Sequence, residues 1–252
     1  MSKRIKKKLE DKEFFSSITN YDLFNEKVYE EILKLAKINS LLQGSVIVDI
    51  GCGCEIWGDK IAEYGYSVVG IDISTNMLKT AHKFAKESNI NLSLVCGDAE
   101  HMPFRRESFN CAFFGFSLHH ITNISLACRE ASKCVKPGGR ITLVEPNGSN
   151  PLRIVSNKIG KSLNKIIGNR FSSPAERPLA IKYMHTVFGS IGFRSTQILL
   201  HYYVQDYKTD EHLPNLFNLF VKIRNYLFFF THKLLPRKIG ATDFVMIATK
   251  KT

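Results

Sequence analysis

Acidic residues are scarce in this chain: 23 Asp and Glu stand against 35 Lys and Arg in 252 residues, for a net charge of +12. A surface of that sign attracts nucleic acid, acidic lipid headgroups and anionic metabolites. Five of the positive charges sit in one N-terminal run, "SKRIKKK", which would equally serve as a solvated tail. No apolar core follows those lysines, so no secretory signal is expected. Cysteine is limited to six residues with no CxxC pair at zinc spacing, and Cys52-x-Cys54 has no nearby His, so no metal is expected. A disulfide framework is not expected at this size either, which points to a reducing, cytoplasmic compartment. No apolar run reaches the roughly twenty residues a bilayer span needs.

What is present is an alternation of strand and helix patterns. Leu23, Phe24, Val28, Ile32, Leu35 and Ile38 recur at helical spacing. Val46–Ile50 is a short β-branched run of the kind buried on both faces. "DKIAEYGY" reads as helix with a glycine stop, "SVVGID" as a second strand, and "STNMLKTAHKFAKESN" as a helix capped by Ser74 or Thr75. A third strand ends at Asp98 in "NLSLVCGDAE", and a fourth is "FNCAFFGF". The helix "NISLACREASKCV" stops at Gly138 and Gly139, and "RITLVEPN" is a fifth strand. This order argues a parallel sheet with helices on both faces. Near the end, "PLAIKYMHTVFGSIGF" reads as helix, and "STQILLHYYV" and "DFVMIATKK" as strands. Between those two strands lies a long apolar insertion, about residues 205–240.

The turn Asp49-Ile-Gly51-Cys52-Gly53 puts glycines at the carboxyl end of the first strand, where backbone must approach a ligand closely. A dinucleotide site wants a third glycine, which would fall at Ile56. Asp72 closes the second strand, where a carboxylate can accept ribose hydroxyls, with Ile73 and Met77 just beyond it. Asp98 closes the third, where it can take an adenine amine, with Ala99 NH near the ring and Met102 and Phe104 lining the slot. Three acids at three strand ends would repel a pyrophosphate, but they suit a sulfonium cation carrying an amino group. Charge therefore favours S-adenosylmethionine over NAD.

These residues resemble the class I S-adenosylmethionine-dependent methyltransferases, in particular the small-molecule branch that includes quinone-biosynthesis enzymes. "VDIGCG", "VVGIDIS", "GDAEHMPF", "SFNCAFFGFSLHHI" and "VKPGGRITLVEPN" stand in family order and spacing. The resemblance implies one α/β domain: a Rossmann-like, seven-stranded, mostly parallel sheet with helices on both faces and an antiparallel last strand. It would comprise a basic tail at 1–20, a cofactor-binding core at 21–147 and a C-terminal part at 148–252. By position, Gly51, Cys52 and Gly53 would pass under the methionine part of the cofactor. Asp49 would orient its amine, Asp72 the ribose, and Asp98 with Ala99 the adenine, while Phe114 and Gly115 would border the methyl-transfer site. Glu55 stands where the family usually has a third glycine. It either turns outward, pairs with the cofactor ammonium, or obstructs the site. Asn110 replaces the more usual acid.

The acceptor is less defined. His119 and His120 follow the fourth strand at the carboxyl edge and are the candidates for a base that takes a phenol or enol proton. Glu145, Tyr183 and His185 rank behind them. No N/D-P-P-Y/F motif or Pro-Cys nucleophile is present, so nucleic acid is not the expected substrate, despite the basic surface. The insertion, dense in Phe, reads as a lid over a lipophilic small-molecule acceptor, as a membrane contact through 216–230 together with the basic N-terminus, or as a buried hairpin or dimer contact. An RNA methyltransferase and a non-catalytic methyltransferase-like module are the competing functions.

Overall fold

The computed structural model describes residues 26–54, 56–90, 92–167, 177, 179–200, 223, 226–227, 235–236 and 241–250. Leu23, Phe24, Glu55, the basic tail and most of the apolar insertion lie outside the described residues. Seven strands form one sheet: β1 (Val46–Ile50), β2 (Ser67–Asp72), β3 (Leu92–Cys96), β4 (Phe109–Gly115), β5 (Val135–Pro146), β6 (Phe193–Leu200) and β7 (Asp243–Lys250). Their order is 3-2-1-4-5-7-6. β1 to β5 run parallel, and β7 pairs antiparallel with both β5 and β6.

Six helices accompany them among the described residues: α1 (Glu26–Leu35), α2 (Ile56–Ala62), α3 (Thr75–Glu87), α4 (Ile124–Cys134), α5 (Pro151–Ile167) and α6 (Ile181–Ser190). The period-two alternation of the strands divides the core between two faces. Ile47, Cys111, Phe113, Val245 and Ile247 pack with Tyr29, Ile32 and Leu33 of α1 and Trp57 and Ile61 of α2. Their neighbours Val48, Ala112, Phe114, Phe244 and Met246 face the other way, onto Ala127, Cys128 and Ala131 of α4 and Met184 and Phe188 of α6. On α1 the buried stripe is Tyr29, Ile32, Leu33 and Ala36, whereas Leu35 is exposed.

Several boundaries differ from the sequence reading. β3 ends at Cys96, so Asp98 stands in the following turn. Gly138 and Gly139 do not terminate a helix. α4 stops at Cys134, and β5 begins at the next residue. Register against β4 jumps from the Phe109–Val135 pair to the Cys111–Arg140 pair, so the glycines serve a bulge. Asn110 sits opposite that bulge, and its Oδ1 accepts from Val46 N at 3.0 Å and Lys136 Nζ at 3.2 Å. β6 starts at Phe193, two residues earlier than expected, and α5 was not anticipated at all.

Candidate active site

In the order 3-2-1-4-5, neighbouring connections depart in opposite directions between β1 and β4, and a crevice opens there at the carboxyl edge. The turn after β1 forms its floor. Gly51 and Gly53 have φ of +70° and +58°, conformations that disfavour a side chain. A Cβ on Gly51 would stand 2.6 Å from Ser117 Cβ. Ser117 is fixed there because its Oγ donates to Ile50 O at 2.5 Å. Gly51 N and Cys52 N both donate to Ile71 O, and Gly53 N donates to Asp72 Oδ2 at 2.9 Å. The glycine turn is thereby stitched to the end of β2.

Asp72 accepts a second backbone bond, from Ser74 N to Oδ1 at 2.8 Å. Ser74 in turn caps α3. Burial raises the Asp72 pKa, against the lowering effect of these backbone donors. The Ile73 N–H is a third backbone donor to this carboxylate. Asp98 is arranged alike: its Oδ1 accepts from Glu100 N at 2.9 Å. Glu100 is buried, and its Oε1 accepts from Asn123 N at 2.8 Å, joining the turn after β3 to the cap of α4. Asp49 lies deepest. Its Oδ2 is buried without a hydrogen-bond partner, and burial, reinforced by the charge of Asp72, raises its pKa to about 8.

The cleft holds about 1090 Å³ of space including its open mouth. It brings together Gly51, Cys52, Gly53, Asp72, Ile73, Met77, Asp98, Ala99, Gly115 and His120. Asp49, Phe114 and His119 are not on its wall. Asp49 sits behind the turn, and Phe114 points into the core beside α4. His119 turns to Glu145, with Nδ1 2.6 Å from Oε2, and Glu145 Oε1 accepts from Leu118 N at 2.7 Å. The two imidazoles lie 3.9 Å apart between centroids. Burial, with the neighbouring His119 contributing, lowers the His120 pKa well below the ordinary value, so His120 is neutral near pH 7.

The sequence reading passed over Tyr29, Trp57, Phe116 and Ser117, all of which line the cleft. Trp57 meets Tyr29 edge-on at 4.7 Å and lies 6.2 Å from the Phe116 ring. The sulfonium-bearing cofactor fits this donor set. An orphaned buried carboxylate oxygen, two further acids and an aromatic wall suit a cation with an amino group and ribose hydroxyls. Tyr183 and His185 of α6 stand apart from the cleft, where His185 Nδ1 lies 2.7 Å from Ser195 Oγ.

The sheet order and the cleft at the β1–β4 reversal resemble those of a methyltransferase domain. Residues 48–143 match the family model described as a methyltransferase domain. The chain is 30% identical over 140 residues to a demethylmenaquinone methyltransferase of Listeria welshimeri, covering 54% of this chain and 57% of that protein. It thus spans little more than half the length of that relative. Among solved structures, a Haemonchus contortus phosphoethanolamine N-methyltransferase 2 in complex with S-adenosyl-L-methionine superposes with a TM-score of 0.66 at 19% identity, over 96% of this chain and 56% of that one. YcgJ of Bacillus subtilis does so with a TM-score of 0.62 at 15% identity, over 89% of this chain and 99% of that one. Both show likeness of fold.

Proposed function

We propose that this chain binds S-adenosylmethionine in the cleft and methylates an oxygen or carbon of a small lipophilic acceptor. The observation that carries the reading is the pairing of Asp72 and Asp98 on the wall of a cleft floored by a glycine turn, with the buried Asp49 Oδ2 unpartnered behind that turn. When bound, the cofactor supplies a methyl group on a positively charged sulfur. Asp72 meets the ribose hydroxyls and Asp98 with the Ala99 N–H the adenine edge, while Asp49, from behind, orients the turn that faces the amine.

His120 is the only one of the paired histidines on the cleft wall. Its neutral imidazole accepts the proton of a phenol or enol acceptor. His119, held by Glu145, fixes the 118–122 loop, and Arg177 ties the same loop by donating to the backbone oxygens of Ile121 and Thr122. The apolar lining from Tyr29, Trp57, Phe116 and Ile121 suits an apolar acceptor, as does the quinone chemistry in the relative's name. Ile223, Tyr226 and Leu227 of the insertion are exposed, consistent with a membrane contact there alongside the basic N-terminus.

Calorimetric titration with S-adenosylhomocysteine tests the first half. Micromolar binding that disappears in Asp72→Ala is expected, and a folded protein without heat of binding refutes it. Label transfer to prenylated hydroquinones tests the second half. His120→Ala should lower turnover roughly 10²–10⁴-fold while sparing cofactor affinity.

A further inference from the structure

Ten large apolar side chains are exposed among the described residues, and three of them share one helix. Ile154, Val155 and Ile159 of α5 are 40%, 52% and 41% exposed. At 100° per residue they span one arc, within which the exposed Lys158 and Ser162 also fall. The seventeen residues of α5 hold Arg153, Lys158, Lys161 and Lys165 and no acid. An exposed face that mixes apolar side chains with lysine, on a helix without an acid, suits the headgroup layer of an anionic membrane.

The helix is also fixed at the edge where the cleft opens. It follows the carboxyl end of β5, and Asn150 Oδ1 caps it by accepting from Leu152 N and Arg153 N. Arg153 Nη2 donates to Thr242 O and Asp243 Oδ1 at the start of β7. That anchor uses Arg153 and leaves Lys158 exposed. A second copy fits this stripe poorly, because a two-fold contact through α5 would set lysines against lysines.

We propose that the exposed stripe of α5 docks on an anionic phospholipid surface and holds the cleft mouth beside it. The inference rests on the lipophilic acceptor proposed above and names the place from which that acceptor would be drawn. The test uses the full chain in co-sedimentation with vesicles of phosphatidylcholine, with and without phosphatidylglycerol. Binding to the anionic vesicles alone, weakened by salt, is expected. The combined Ile154→Ser, Val155→Ser and Ile159→Ser variant should bind at least about tenfold more weakly. Lys158→Glu should lose roughly fivefold or more.

Both variants should keep the wild-type affinity for S-adenosylhomocysteine, which shows that the fold is intact. Undiminished vesicle binding by the triple variant overturns the proposal, as does no vesicle binding by the wild type. A concentration-dependent dimer abolished by the triple variant overturns it in favour of a second copy. Turnover of a water-soluble apolar phenol is measured separately. Vesicle binding without such turnover defeats the acceptor reading alone, and turnover without vesicle binding defeats the docking surface alone.

Discussion

Trp57 lies so close over Gly115 that a Cβ on residue 115 would stand 2.4 Å from its Cδ1. The indole also packs edge-on against Tyr29 and Phe113, which resist its displacement. Gly115→Ala should therefore destabilise the fold by roughly 1–3 kcal/mol through overpacking. Gly115→Ala with Trp57→Leu should recover part of that loss. Denaturant unfolding of the single and double variants checks both.

Phe116, next in the chain, has a φ of +54°, a region that a bulky side chain enters only under strain. Its ring lines the cleft beside Trp57. Phe116→Ala keeps the strain without the ring, whereas Phe116→Gly removes both. The glycine variant should be more stable than the alanine variant by about 1 kcal/mol, and both should bind an apolar acceptor more weakly than wild type. Equal unfolding midpoints would show that the strain is not felt.

Asp49 couples the site to pH. Its pKa is raised from 3.8 to about 8, chiefly by burial, so between those values the folded state holds a proton that the unfolded state releases. The stability this contributes is complete below about pH 4 and fades as pH rises through 8. Asp49→Asn should flatten that decline. An ammonium partner needs the carboxylate, so S-adenosylhomocysteine affinity should rise between pH 6 and about 8 in wild type and not in Asp49→Asn. Titrations at stepped pH read both slopes.

Glu145 is fully buried and serves two donors, the Leu118 N–H and the His119 ring. Glu145→Ala strands both and should cost about 3 kcal/mol or more. Glu145→Gln keeps an acceptor for Leu118 and should cost less. Thermal unfolding separates the two, and an alanine variant as stable as wild type would remove Glu145 from the framework.

The legible part of this chain was its periodic part. Val46–Ile50 and the Ser74 cap follow from local pattern and appear where expected, whereas the antiparallel pairing of β7 was implied by the family resemblance alone. The glycines after α4 misled because a bulge and a helix stop use the same residue type. Helix α5 carries Leu152, Val155, Ile159, Leu163 and Ile166 at helical spacing, a signal that the sequence holds and its reading passed over. At the cleft, strand-end acids announce themselves by position, but Trp57 and Tyr29 reach the wall from helices whose packing no short motif encodes. The pleat of β4 would put Phe114 and Phe116 on one face, and it is the φ of +54° at Phe116, just past the strand end, that sends its ring elsewhere.

The reversal between β1 and β4 has a consequence for how such a chain can change. The turns that would grip the donor all come from residues 49–102, on one side of the reversal, inside the stretch matched by the family model. The 115–122 loop closes the other side, and everything after β5, including α5 and the insertion, lies beyond that stretch. Alterations there leave every residue of the donor turns unchanged. Inheritance can thus retune what is modified, and where in the cell it is met, while the grip on the methyl source stays fixed.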